Sequence, residues 1–265
     1  MRALNWDDLF RKGNKSVMAE ISVQLYSVRR QLAVDYEGVI RQIAAMGYDA
    51  VETAEVYGEG AAWARALFDS VGLRVSSCHL SLLGSADDRA RALDNAATLG
   101  ARYVVVPYIP PDQFGSIDQV VGHCARINAA LPDVTARGMS LLYHNHAWEF
   151  TATAALGDRT PLAIMLEHLD SRIGFEIDVY WAQHAGVNPA EAVASLGERA
   201  PILHMKDGRP GTSQPMLAAG DGEVDLVAVA RAGAGAAWWI AELDEHDGDM
   251  LTALARSAAY LKSLG

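Results

Sequence analysis

Eight short apolar or β-branched runs, each followed by a helical pattern or room for one, constrain this chain more than any other feature. They fall at 20–27 (EISVQLYS), 48–53 (YDAVET), 74–80 (RVSSCHL), 101–107 (ARYVVVP), 139–145 (MSLLYHN), 173–179 (IGFEIDV), 200–206 (APILHMK) and 237–243 (AWWIAEL). One such run is ambiguous between a strand and a buried helix. Their alternation with segments such as YEGVIRQIAAMG, GAAWARALFDSVG, DDRARALDNAATLG and VDLVAVARAGAG is not. In these segments apolar residues recur at helical spacing and a glycine closes the stretch. Strands separated by helices must run parallel, and eight such units fit a closed (β/α)₈ barrel. An open doubly wound sheet uses the same units, but no GxGxxG follows the first strand. GDGEVD at 220–225 precedes the seventh helix and reads as a tight loop.

Residues 1–17 read as an N-terminal extension and 18–265 as one barrel domain that carries the catalysis, with no interdomain linker. The start has basic residues but no continuous apolar stretch, so no membrane association is expected. Cys78 and Cys124 lack CxxC spacing and read as free thiols in a reducing, cytoplasmic setting. The 33 acidic residues against 22 basic ones give a formal charge of -11, which disfavours nucleic acid as a partner. Three of the four lysines lie near the termini; the fourth, Lys206, sits in an apolar segment.

In a (β/α)₈ barrel, reacting groups project from the C-terminal ends of the strands. Glu52, His79, His144, His146, Asp178, His204 and Glu242 all fall there. His144 and His146 are two apart, so an extended backbone puts both on one face. Glu176 and Asp178 share parity in the same way, and two carboxylates on one interior face call for a positive charge between them. A metal supplies that charge. Asp178, His204 and Glu242, completed by His144 or a nearby acid, make a nitrogen and oxygen site that suits Mn²⁺ or Zn²⁺ best, with Co²⁺, Fe²⁺ and Mg²⁺ as further candidates. Asp178 could instead cap the helix that follows. Lys206 could move a proton or hold a developing oxyanion, or simply pair with Asp207. The strand-end aromatics Tyr26, Tyr108, Tyr143, Trp148, Tyr180 and Trp181 suit a carbohydrate ring or serve as rim packing.

Over residues 20–264 the chain resembles the xylose-isomerase-like TIM-barrel superfamily of sugar phosphate isomerases and epimerases. The resemblance is carried by YHNHAWEF (143–150), FEIDVYWAQHAG (175–186), ILHMKDG (202–208), GDGEVD (220–225) and AELDEHD (241–247). It implies a divalent metal held by Asp178, His204 and Glu242 and by a fifth-strand residue. That residue is His144, where many epimerases have a glutamate that both binds metal and moves the proton. The departure leaves Glu149 as the candidate to act in its place. A second departure is Trp181, where ketose epimerases have a sugar-binding histidine. Both departures shift weight toward the branch with a YHNH segment, similar to inosose dehydratases and to enzymes acting on 3-keto sugars.

The leading expectation is therefore an isomerase or epimerase that removes a proton next to a carbonyl of a sugar, keto-sugar or polyol ketone. Dehydration or β-elimination on an inosose or a 3-keto-glycoside is the runner-up. His144, Asp178, His204 and Glu242 are assigned to the metal. Glu149, Lys206, Glu242 and His146 are assigned to proton transfer, and Glu52, His79, Tyr108, Trp181 and Arg209 to substrate. Phosphodiester cleavage, as in the related endonuclease branch, conflicts with the acidic charge. A non-catalytic sugar-binding barrel leaves the strand-end residues unexplained. The expected partner is a small carbohydrate; no pattern encodes an oligomeric state.

Overall fold

Each of the eight runs holds one strand, shorter than the run. In chain order the elements are β1 (Glu20–Gln24), α1 (Arg29–Leu32), α2 (Tyr36–Met46), β2 (Ala50–Thr53), α3 (Ala61–Ser70), β3 (Arg74–His79), α4 (Ala86–Leu99) and β4 (Tyr103–Val106). There follow α5 (Ile117–Thr135), β5 (Ser140–His144), α6 (Pro161–His168), β6 (Gly174–Asp178), α7 (Val179–His184), α8 (Pro189–Leu196), β7 (Ile202–His204), α9 (Leu226–Ala232), β8 (Trp238–Ala241) and α10 (Met250–Ser263). This computed structural model describes residues 19–265, so the extension expected at 1–17 and its boundary lie outside the described residues.

All eight strands pair in parallel with their sequence neighbours, and β8 closes onto β1 with Glu20 opposite Trp238 and Val23 opposite Ala241. The helices start and stop on local signals. Asp35, Ser85, Ser116, Thr160, Asn188, Asp225 and Asp249 each accept a backbone N–H from the first turn of the helix they precede. Gly47 and Gly100 end α2 and α4 in the left-handed conformation, at φ 84° and 77°, which glycine adopts without strain.

The strand alternation sorts side chains into two cores. Residues facing outward join the helices in a large apolar cluster, while Ala50, Tyr103, Val105, Leu142, Ile202, Trp238 and Ile240 form a separate cluster enclosed by the barrel. Toward the C-terminal ends the inward parity turns polar: Gln24, Glu52, His79, His144, Glu176, Asp178 and His204 are all buried. So many buried polar groups survive only if they satisfy one another. Cys78 and Cys124 are buried free thiols. Among the described residues, no helix is long and apolar enough to cross a membrane.

Candidate active site

The polar layer is organised around His204, the last residue of β7. Its Nε2 lies 2.8 Å from Glu52 Oε2 and 3.1 Å from Glu176 Oε2, and its Nδ1 lies 2.7 Å from Glu242 Oε2. His144, the last residue of β5, directs Nδ1 at Glu176 Oε2 at 2.9 Å and leaves Nε2 3.7 Å from Asp178 Oδ2. His79 adds a third imidazole, with Nε2 2.6 Å from Glu176 Oε2. Gln24 Nε2 donates to Glu52 Oε2 at 2.6 Å, which holds that carboxylate from the β1 side.

Charge follows from these contacts. Burial opposes a proton on His204, but Glu176 and Glu52 outweigh it and hold the imidazolium well above the ordinary range. Burial lowers His144 to about 3, with the charge on His204 reinforcing it against Glu176, so this ring is neutral. Glu52 is pushed up to about 7 by burial and by Glu176. Burial likewise opposes ionised Glu176, but His204 and His79 hold it well below the usual carboxylate range.

Above this layer lies Lys206, almost wholly buried. Its ammonium is 2.9 Å from Asp178 Oδ2, 2.8 Å from Glu242 Oε2 and 2.9 Å from Asp244 Oδ1. Burial works against the charge, but the carboxylates overcome it and keep the lysine well above its ordinary range. Asp207, the alternative partner, does not pair with Lys206. Asp207 instead accepts backbone N–H groups from Gly208, Gly220, Gly222 and Val224, and so folds GDGEVD around itself as the tight loop the sequence suggested. A Cβ on Gly222 would run into the Asp207 carboxylate and the Gly208 backbone, so the loop needs glycine there.

Asp178 has two roles at once. Oδ1 caps α7 by accepting the Trp181 N–H at 3.0 Å, and Oδ2 faces the mouth. Although 2.9 Å from the Lys206 ammonium, Oδ2 lacks hydrogen-bond geometry to any donor. Asn145 fixes the backbone here: its side chain accepts the Asp178 N–H at 2.9 Å and donates to the Asp178 carbonyl at 3.2 Å, tying β5 to β6.

One ligand atom from each of His144, Asp178, His204 and Glu242 can come within 4.8 Å of the others. The donor chemistry suits a divalent metal. Each imidazole turns one nitrogen toward a carboxylate of this set, His144 Nε2 toward Asp178 and His204 Nδ1 toward Glu242, and the other toward a buried carboxylate behind it, the arrangement that orients histidine ligands. The unsatisfied Asp178 Oδ2 points the same way. Lys206 competes for the same two oxygens. A second set, His79, His144, Glu176 and His204, lies within the same limit. In it His79 Nε2, His144 Nδ1 and His204 Nε2 are already spent on Glu176 Oε2.

The mouth opens into a cavity of about 560 Å³ whose walls include His79, Tyr108, His144, His146, Trp181, Lys206 and Glu242. His146 stacks on Trp148 at 4.5 Å between ring centres, and Tyr108 meets both rings edge-on. Burial depresses His146 to about 2, helped by its neighbours His144 and Lys206, so it faces the cavity as a neutral ring.

Three assigned residues fall elsewhere. Glu149 is fully buried behind β5: its carboxylate accepts the Tyr143 hydroxyl at 2.6 Å and the His146 N–H at 2.8 Å, because Tyr143 has the outward parity. Arg209 is on an exposed loop and donates to Gln214 Oε1, outside the cavity wall. Glu52 lies beneath His204 and, like His204 and Asp178, does not line the cavity; its carboxylate braces the imidazole. Conversely, Glu176, Asp244, Asn145 and Gln24 were not assigned to the site. Glu176 carries a signal, its shared parity with Asp178, and Asn145 and Asp244 fall inside the YHNHAWEF and AELDEHD segments; Gln24, on β1, carries none.

The family described as xylose isomerase-like TIM barrel matches residues 40–264. Comparison by sequence with curated proteins finds no match. Among solved structures, a sugar phosphate isomerase/epimerase from Parabacteroides distasonis superposes with a TM-score of 0.79 at 23% identity, covering 95% of this chain and 96% of the other. A xylose isomerase domain protein from Alicyclobacillus acidocaldarius gives 0.69 at 22% identity, covering 93% and 98%. The 3-keto-D-glucoside 4-epimerase from E. coli gives 0.69 at 17% identity, covering 92% and 99%. At such identities these likenesses speak for the fold.

Proposed function

The chain belongs to the xylose isomerase-like TIM-barrel family, and on that premise we propose that it is a divalent-metal-dependent sugar isomerase or epimerase that removes a proton next to a carbonyl. The observation that carries this reading is the convergence of His144, Asp178, His204 and Glu242 at the mouth, with Glu176 and Glu52 behind the two histidines. A metal held by these four residues would act as a Lewis acid on the substrate carbonyl.

The remaining chemistry falls to the chain's own groups. Lys206 holds a fixed positive charge at the cavity wall, where it can stabilise an oxyanion as it develops. Burial opposes ionised Glu242, but Lys206 and His204 outweigh it and keep the carboxylate ionised at the same wall. We assign the proton transfer to Glu242, a carboxylate at the cavity wall, in place of Glu149, which does not line the cavity. His146, neutral and fixed by Trp148, orients a hydroxyl. Trp181 and Tyr108 exclude water from a sugar face.

The test is exchange of a substrate C–H with solvent deuterium, followed by NMR on a panel of ketoses with Mn²⁺ or Zn²⁺ added. Exchange that needs the metal and is lost in His204→Ala and Asp178→Asn supports the reading. Full activity after exhaustive chelation would sink it. The same experiment separates β-elimination, which gives an unsaturated product, from epimerisation, which returns an isomer.

A further inference from the structure

The cavity at the mouth does not stand alone. A second cavity of about 440 Å³ lies between the loop after β7 and the loop after β8, and the two share Trp181, Asp244 and Glu245 as walls. Its floor is apolar, from Tyr180, Met216 and Pro215, while Thr212, Ser213 and Gln214 bring hydroxyls and an amide to its exposed side. Gln214 accepts from Arg209 through Oε1, which leaves its Nε2 free to donate, and His246 donates from Nδ1 to the Met216 carbonyl, which leaves Nε2. An apolar floor with neutral donors and acceptors around it matches a sugar ring.

Among the described residues, neither cavity offers a free cation. Histidines apart, the described basic residues in the two walls are Arg29 and Lys206. Lys206 is held by Asp178, Glu242 and Asp244. The Arg29 guanidinium is 3.0 Å from Glu245 Oε1 and also donates to the carbonyls of Tyr26 and Asp244. Glu55, Asp244, Glu245 and Asp247 add negative charge around the rims. A phosphate would meet that charge without the paired cation it requires.

We infer that the substrate is an uncharged glycoside, of which a disaccharide is the simplest, with its reacting ring in the inner cavity and its second ring in the outer one across the Trp181 wall. The inference rests on the proposed sugar-ketone chemistry and adds the second ring and the absence of phosphate.

Isothermal titration calorimetry on the Mn²⁺-loaded protein tests it. The probes are fructose, fructose 6-phosphate, and the keto-disaccharides lactulose, turanose and palatinose, which differ in linkage. At least one disaccharide should bind about tenfold or more tighter than fructose, and fructose 6-phosphate should bind more weakly than fructose. In Ser213→Trp, which fills the outer cavity from an exposed loop, that preference for the disaccharide should fall by about tenfold. No disaccharide surpassing fructose, a tighter phosphate ester, or a preference unmoved by Ser213→Trp overturns the inference. Binding needs no turnover, so the two readings fail separately. Disaccharide preference without deuterium exchange defeats the proposed reaction alone, and exchange on fructose without disaccharide preference defeats the second subsite alone.

Discussion

His204 Nε2 and Glu52 Oε2 lie 2.8 Å apart in a fully buried contact between β7 and β2, across the barrel interior from one another with β8 and β1 between them in the sheet. The carboxylate fixes which imidazole nitrogen faces Glu242 and the mouth. In Glu52→Gln the ring loses that restraint and part of its basicity, and metal affinity should fall about 10–100-fold. Competition against a chromophoric chelator measures it. Affinity equal to that of the wild type would mean that Glu52 only fills space.

Lys206 and a bound metal would compete for Asp178 Oδ2 and Glu242 Oε2. In Lys206→Met those buried carboxylates lose their counter-charge, which costs about 3–5 kcal/mol when one partner of a buried pair is removed. The metal-free variant should therefore melt well below the wild type, and added Mn²⁺ should raise its Tm by more than it raises that of the wild type. Turnover should stay low even with metal bound, because the oxyanion loses its fixed charge. Scanning calorimetry with and without metal, beside an exchange assay, checks both parts.

Glu149 has its pKa raised to about 7 by burial, from an ordinary value of 4.5. The folded state thus holds this proton more tightly than the unfolded chain does. Its contribution to stability is complete below about pH 4.5 and is lost as pH rises through 7, on the order of 3 kcal/mol in total. Glu149→Gln should flatten the fall in denaturation midpoint between pH 4.5 and 7. The variant should retain most of its exchange activity, since the side chain sits behind β5 and not in the mouth. An activity loss of several orders of magnitude in a folded variant would return Glu149 to the catalytic set.

Trp181 is a wall of both cavities and its backbone N–H is capped by Asp178. Trp181→Ala keeps the capped N–H and removes the aromatic face, so KM for a sugar should rise roughly tenfold, consistent with loss of one aromatic contact, while kcat changes less. Steady-state kinetics resolve the two. An equal fall in kcat at constant KM would place the indole at the reacting atoms.

Alternation of strand and helix signals, repeated eight times, was enough to read the barrel from sequence, because closure depends on the count and period of units more than on any one contact. Two-residue spacing also put His144 with His146 and Glu176 with Asp178 on shared faces, since strand parity is local geometry. What parity could not supply was depth and partnership. Glu52 and His79 lie at the C-terminal ends of strands as His204 does, Glu52 one residue short of the end of β2, yet in the tertiary structure Glu52 lies beneath the mouth and His79 at its wall. Glu149 follows β5 by a few residues and falls behind the strand, because Tyr143 faces outward and draws it there. Lys206 finds its partners on β6 and after β8 and not in its sequence neighbour Asp207, which is taken by the glycine loop. Those outcomes depend on which buried groups compensate which across the barrel, a long-range electrostatic balance that no local pattern in the chain records.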